Sequence, residues 1–455
     1  MIYLFLLTTI FLASGFPVAF SLGGAALLAA GIGQLTGQFD AAFLAALPER
    51  LFGIMTNESL VAVPLFVLMG NLLERTKISE GLLTSMSKLF CGMRGGLGVS
   101  VCVVGALLAA STGIVGATVV TMGLISLPAM LKKNYSPELS TGVICASGTL
   151  GQIIPPSIVL IILGDVMGSA HQQAQLSLGN WSPSSVSVAD LFLGALVPGL
   201  ILVGLYILYI LVIAHLKPDQ APADTSEDRN FLELITSKDL LSSLLPALFL
   251  ILGVLGSILL GIATPTEAAA VGVVGALIIA KMQKSLSLDL MMESSKSSVK
   301  ITSMVFMILI GASVFSAVFR GYQGDEIVQE FLLGLHGDPA VIFWTVMIFI
   351  FLLGFFIDFF EIVFVVVPIV GPVLLQMDFD PIWLGVMIAM NLQTSFLTPP
   401  FGFSLFYLRG VAPPELKTAS LYRGVIPFIG IQVLVLILLF MFPELIYSPL
   451  REVAQ

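Results

Sequence analysis

Two long apolar runs in this chain are each interrupted by a double proline set among glycine, amide and hydroxyl residues. The first break reads Gly148-Thr149-Leu150-Gly151-Gln152-Ile153-Ile154-Pro155-Pro156-Ser157; the second reads Asn391-Leu392-Gln393-Thr394-Ser395-Phe396-Leu397-Thr398-Pro399-Pro400. A proline supplies no backbone donor and disfavours helix at the residue before it. In hydrocarbon the carbonyls so freed are costly unless they line a cavity or find other partners. A matched pair of interruptions, one per half, points to the binding site of a secondary transporter. The alternative is a pair of kinked, packed helices whose hydroxyls bond back to their own carbonyls.

Composition sets the medium. The chain is 57% hydrophobic and 10% charged over 455 residues, with a mean hydropathy of +1.05. Such a chain reads as an all-α polytopic membrane protein, and its 43 glycines suit close helix approach. The net charge of −9 argues against a nucleic-acid partner. Cys91, Cys102 and Cys145 have neither metal-ligand nor redox spacing. The opening Ile2–Leu12 lacks a basic lead-in and a small-residue cleavage site, so it reads as a retained span. No soluble domain is expected, so any substrate-capturing or energy-supplying part must come from a partner or not exist.

The predicted spans of residues 1–214 are Ile2–Ala13, Pro17–Gly33, Leu60–Leu73, Leu139–Leu163 and Leu191–Ala214; the amphipathic stretch Ala41–Met55 is placed at the interface. A polar cytoplasmic linker covers 215–243. Residues 244–455 supply Leu244–Ile262, Ala268–Lys281, Val299–Phe319, Ile382–Leu408 and Val425–Phe442. Two further stretches, Val99–Leu131 and Val341–Leu375, are interrupted at Ser111-Thr112-Gly113 and Asp358-Phe359-Phe360-Glu361. Charge decides how these two lie. If both are re-entrant hairpins and the N-terminus is periplasmic, only Arg50, Arg320 and Arg451 of the 19 basic residues fall outside. Making either a full crossing destroys this bias.

The same topology gives five crossings and one hairpin per half, and an odd crossing number inverts the second half. Landmarks recur in order: Gly70 with Gly311, Ser111 with Asp358, Pro155 with Pro399. Inverted repeats with alternating access are therefore expected.

Each break and the hairpin tip of its half assemble oxygens suited to a hard cation such as Na⁺. The first half offers Ser111, Thr112, Thr118, Thr149, Ser157 and the carbonyls of Gly148–Pro155. The second offers Asp358, Thr394, Ser395, Thr398 and carbonyls around Leu397–Pro399. Asp358 and Glu361 are read as the only acids deep in a membrane element, and a carboxylate there is functional by default. Half-helix N-termini after the breaks would hold an anionic substrate by dipole and backbone amide. Arg320 and Arg409 are the basic candidates to help hold that anion, but both sit at span ends and read first as anchors there. Thr264-Pro265-Thr266-Glu267 reads as a helix-starting capping box. His171, His215 and His336 are assigned to solvated loops or span edges.

At these motifs the sequence resembles the large membrane subunit of tripartite ATP-independent periplasmic (TRAP) transporters, in the ion-transporter superfamily. The resemblance spans nearly the whole chain and rests on Gly151-Gln152-Ile153-Ile154-Pro155-Pro156-Ser157, Ala263-Thr264-Pro265-Thr266-Glu267-Ala268, Leu397-Thr398-Pro399-Pro400-Phe401-Gly402 and Pro64-Leu65-Phe66-Val67-Leu68-Met69-Gly70. It implies a sodium-coupled importer of small organic acids in a bacterial or archaeal cytoplasmic membrane, working as an elevator. It also implies a small four-helix membrane subunit and a periplasmic substrate-binding protein as partners, with no cofactor beyond Na⁺. By analogy one sodium site would use Ser111, Thr112, Gly148, Gly151, Ile154 and Pro155. The other would use Gly354, Asp358, Thr394, Thr398 and Pro399. Substrate would meet Ser111, Thr149, Gln152, Pro156, Ser157, Ser395 and Pro400. Ser111-Thr112-Gly113 stands where many members have a Gly-Ser-Ser-like tip, and Gln152 and Gln393 depart from glycine-rich forms. Readings of another class are an intramembrane hydrolase, which the lack of a mid-span histidine disfavours, and a passive channel or scaffold. Within transporters the runner-up is a stand-alone Na⁺/dicarboxylate-type symporter.

Overall fold

Helix starts in this chain follow from local capping chemistry. In the computed structural model, which describes residues 2–76, 78–223, 238–335 and 338–453, every regular element among the described residues is helical. Asn57 accepts from the amides of Ser59 (2.9 Å) and Leu60 (3.4 Å) and starts α5, Glu58–Arg75. Ser136, followed by Pro137 at the first helical position, starts α9, Pro137–Thr149. Reciprocal boxes open α11, Val188–Leu216 (Ser187 with Asp190), and α13, Pro265–Met282 (Thr264 with Glu267). These caps satisfy amide donors that a helix start leaves unpaired. The expected Thr264–Glu267 box is therefore present.

The remaining elements are α1 (Ile2–Ala13), α2 (Val18–Leu35), α3 (Ala42–Ala45), α4 (Leu47–Met55), α6 (Ile78–Leu89), α7 (Gly96–Thr112), α8 (Val115–Lys132) and α10 (Ile158–Ser177). After the linker come α12 (Lys238–Leu259), α14 (Leu288–Gly321), α15 (Gly324–Leu333), α16 (Pro339–Leu353), α17 (Phe359–Leu375), α18 (Pro381–Leu397), α19 (Phe403–Val411), α20 (Thr418–Met441) and α21 (Glu444–Val453). Among the described residues, six helices are long and apolar enough to cross a membrane singly. The linker charges Asp224–Arg229 and His336 lie outside the described residues.

Two departures from the sequence reading concern the outer helices. Helix α14 runs 34 residues, beginning well before the expected Val299. Its polar first turns are held against α5, where Asn71 donates to Ser298 Oγ (2.9 Å) and Arg75 pairs with Glu293 (2.6 Å). A second helix, α6, forms in a stretch read as a loop. Helix α2 packs along α14 and α5 along α13, with Gly311 so near α2 that an added Cβ would lie 2.3 Å from the Ala19 carbonyl. Small residues permit this approach where lipid supplies no hydrophobic drive between helices.

Inside this frame lie two hairpins. The Leu97 amide donates to the Tyr135 hydroxyl (3.2 Å), the Gly95 amide to the Ala221 carbonyl (3.0 Å) and the Ser136 amide to the Gln220 carbonyl (3.0 Å). The start of α7, the α8–α9 turn and the end of α11 thus share one face, so α7–α8 enters and leaves on one side. In the second half Phe343, near the start of α16, stacks within 5.5 Å of Phe379 and 4.9 Å of Trp383. Hence α16–α17 also returns to the side it left.

Helix α20 fixes the relative sense of the halves. Near its start, a Cβ at Gly424 would fall 2.2 Å from the Glu138 carbonyl at the beginning of α9. Near its end, Phe440 lies 5.4 Å from Phe343 and 6.0 Å from Trp383 at the beginning of α18. A 24-residue helix spans about 36 Å at about 1.5 Å per residue. Helices α9 and α18 therefore start from opposite ends of the molecule.

Candidate functional site

The first break begins where α9 tightens into a 3₁₀ turn, Leu150–Gln152, and ends where Ser157 caps α10. Both limbs of the first hairpin clasp it. A Cβ at Gly151 would meet the Ala109 carbonyl of α7 at 3.1 Å, and one at Gly148 would meet Val119 of α8 at 2.3 Å. The tip residue Gly113 has φ +61, a left-handed turn that glycine takes without steric cost. A Cβ there would lie 3.1 Å from the Ile158 amide, so the tip sits on the start of α10.

The second break repeats the arrangement. Asn391 Nδ2 donates to the Met347 carbonyl of α16 (2.7 Å). Gly354, at the end of α16, is pressed so closely to α18 that a Cβ would lie 2.2 Å from Ser395 Oγ. Asp358 caps α17, accepting from the Phe359 amide (2.6 Å). Its carboxylate acts electrostatically on Glu361, which is 4% exposed and whose Oε2 has no hydrogen-bond partner within the chain.

The two breaks meet. Gln393 Nε2 donates to Thr149 Oγ1 across 3.4 Å, joining positions 244 apart. Among the described residues, the fully buried Gln152 has no partner on either amide atom, and Gln393 has none on Oε1. A buried amide left this way is costly, so these carboxamides are free to engage something that enters the site. Tyr407 of α19 links the hairpins: the Asp358 charge acts on it, and a Cβ at Gly116 would meet its ring at 2.9 Å.

The hydroxyls do bond back to helix carbonyls, as the alternative reading of the breaks foresaw. Ser111 donates to Leu108 (2.8 Å), Thr149 to Ala146 (2.8 Å) and Ser157 to Gln152 (3.1 Å). Thr394 donates to Met390 (2.8 Å), Ser395 to Leu392 (2.8 Å) and Thr398 to Thr394 (2.7 Å). Back-bonding uses the proton of each hydroxyl and leaves its lone pairs available. That orientation suits a cation.

Other expected residues fall less simply. The side chain of Thr112 lies outside the described residues. Ile154 turns toward Gly199 of α11, leaving only its carbonyl for the break. Pro155 and Pro156 are buried, whereas Pro399 is half-buried and Pro400 exposed, so the second break is the more open. Arg409 is held by the Leu416 carbonyl, away from both breaks. His171 is not a solvated loop residue: it lies within α10, 8% exposed, with Nε2 3.4 Å from Ser184 Oγ. Asp165, also in α10, is a half-buried acid the sequence reading left out of the membrane; Asn57 Nδ2 donates to it (2.9 Å) from the start of α5. Its signal was an acid between two glycines, Gly164 and Gly168, eight positions beyond Ser157.

Two interrupted helices that start from opposite ends and meet between hairpin tips form the architecture of a secondary transporter. The chain belongs to the tripartite ATP-independent periplasmic transporter family, DctM component, whose model matches residues 5–445. It is 29% identical to the C4-dicarboxylate TRAP transporter large permease protein DctM of Vibrio cholerae, covering 96% of this chain and 94% of that protein. It is 28% identical to the sialic acid TRAP transporter large permease protein SiaM of the same organism (95% and 94% covered). With the ectoine TRAP transporter large permease protein TeaC of Halomonas elongata it shares 27% identity (95% and 94% covered). Among solved structures, the YdaH transporter of Alcanivorax borkumensis superposes with a TM-score of 0.64 over 89% of this chain and 90% of that one, at 15% identity; the fold is shared.

Proposed function

We propose that this chain is the permease of a sodium-coupled importer of small organic acids, receiving substrate from a periplasmic binding protein. It would assemble with a small four-helix subunit in a bacterial or archaeal inner membrane, N-terminus periplasmic. The observation that carries the reading is the Gln393–Thr149 contact, which brings both breaks and their back-bonded hydroxyls to one place. Around it, hydroxyl and carbonyl oxygens of Ser111, Gly148, Gly151, Ile154 and Pro155 would hold one sodium ion. Asp358, Thr394, Thr398, Pro399 and the Gly354 carbonyl would hold another. Buried carboxamides and the capped start of α10 would then face the anion. C4-dicarboxylates, sialic acid and ectoine, which name the relatives, share a carboxylate, and this favours an acid here.

Residues 1–214 and 244–455 are read as inverted repeats around the linker 215–243. Hairpins and broken helices from both would slide as a body against α2, α5, α13 and α14, an elevator. The test is uptake of labelled acids by the reconstituted assembly. Accumulation is expected only with an inward sodium gradient and the delivery protein present. Uptake without the gradient overturns the coupling. Uptake by this chain alone favours the stand-alone symporter instead.

A further inference from the structure

On the topology read from the sequence, Arg50, Arg320 and Arg451 are the basic residues of the outer side. Two of these three, 270 positions apart in sequence, line one cleft of about 190 Å³. Arg50 comes from α4 and Arg320 from the last turn of α14, both in the outer frame. Facing them are Ser169 and Gln173 of α10, while Ser313 and Ser316 of α14 line the wall between. Phe364 and Pro368, on the returning limb of the second hairpin, close the far side. The cleft thus lies on the seam between frame and inner body.

Its two guanidiniums are unequally paired. Arg320 Nε pairs with Asp325 Oδ2 at 3.2 Å, and its guanidinium donates to Gln173 Oε1 at 3.0 Å. Arg50 makes no such pair among the described residues; it is repelled by Arg320 and attracted by Asp325. Asp325 thus acts on both guanidiniums but pairs with only one of them. Asp165 also lines the cleft; its Oδ1 accepts from Asn57, and it borders a neighbouring cavity of about 460 Å³ as well. Arg50 is exposed and Arg320 half-buried, and two like charges lining one cleft repel unless an anion lies between them. A guanidinium grips a carboxylate through two parallel N–H bonds, and the serine hydroxyls add donors. Along α10 the cleft runs from Asp165 to Gln173, 8 to 16 residues beyond Ser157 or about 12 to 24 Å at about 1.5 Å per residue, so it lies outward of the first break.

We propose that this cleft is an outer reception site for the carboxylate of the substrate, holding it between Arg50 and Arg320 before it reaches the breaks. The proposal rests on the reading of the chain as an importer of organic acids.

Two measurements test it. In the first, the purified chain in detergent, without any delivery protein, is titrated with succinate, N-acetylneuraminate and ectoine, with succinamide as the neutral control, and thermal stabilisation is read. An acid that stabilises the wild type should lose about tenfold in apparent affinity in Arg50→Gln and in Arg320→Gln/Asp325→Asn, the latter leaving no unpaired acid. Arg50→Lys should recover part of it. In the second, reconstituted uptake should show KM raised about tenfold in the same variants, with sodium half-saturation unchanged, which also reports an intact fold. Equal stabilisation of wild type and both variants, stabilisation of the wild type by none of the three acids, or KM within about twofold of wild type overturns the site. Uptake by the variants at wild-type KM leaves the importer reading standing. Acid binding that needs Arg50 in a protein incapable of sodium-driven uptake overturns that reading and supports the site.

Discussion

At the scale of single residues, the carboxylate and carboxamides of the inner body differ in what their loss should do. Asp358 both caps α17 and faces Glu361. Asparagine caps nearly as well as aspartate, so Asp358→Asn should leave thermal stability close to wild type. The sodium concentration for half-maximal uptake should rise about tenfold, equivalent to roughly 1.4 kcal/mol of ion binding. Unchanged sodium dependence would remove Asp358 from the ion site. Gln152 makes the opposite trade. Both of its amide atoms are buried without a partner, and such a group costs about 1–3 kcal/mol. Gln152→Met, similar in volume and apolar, should therefore raise the melting temperature while depressing uptake. A variant that melts higher and transports normally would make Gln152 a packing residue.

At the scale of elements, the hairpin tips depend on backbone approach. Gly354 leaves no room for a side chain, since Ser395 Oγ would stand 2.2 Å from a Cβ. Gly354→Ala should push α16 away from α18 and abolish uptake, and Ser395→Gly in the same chain should restore a measurable part of it. Failure of that rescue, with Ser395→Gly alone active, would mean the tip is not seated on the break. The first hairpin makes a topological prediction. Cysteines replacing Arg94 and Lys132, at the two ends of the hairpin and both exposed, should label with a membrane-impermeant maleimide from one face only. Labelling from opposite faces would turn α7–α8 into crossings and undo the inversion. Much of this element structure was legible in the chain itself. Prolines at first helical positions, Ser and Thr caps and the Ser111-Thr112-Gly113 interruption act within a few residues, so local sequence specifies them. The extent of α14 was not legible, because its polar start is held by Asn71 and Arg75 of another helix.

At the scale of the whole molecule, the frame and the inner body touch through few polar pairs. One is Asn57 of α5 with Asp165 of α10. If the inner body slides, holding this pair should stop transport without unfolding anything. A chain with Asn57→Cys and Asp165→Cys, bridged by mercuric ion, should lose uptake and regain it on adding thiol. Uptake at full rate with the bridge in place would exclude sliding along this seam. The sequence alone determined the class of protein and the two interruptions of its apolar runs. Those depend on apolar length and missing proline donors, both properties of a segment and its flanks. Tertiary structure alone decided that Gln393 reaches Thr149, that Gly354 meets Ser395, and that Arg50 and Arg320 share a cleft. In lipid, helices associate through close fit of small and polar residues and not through a periodic apolar stripe. Which faces meet is consequently written in shape, a property no single segment carries.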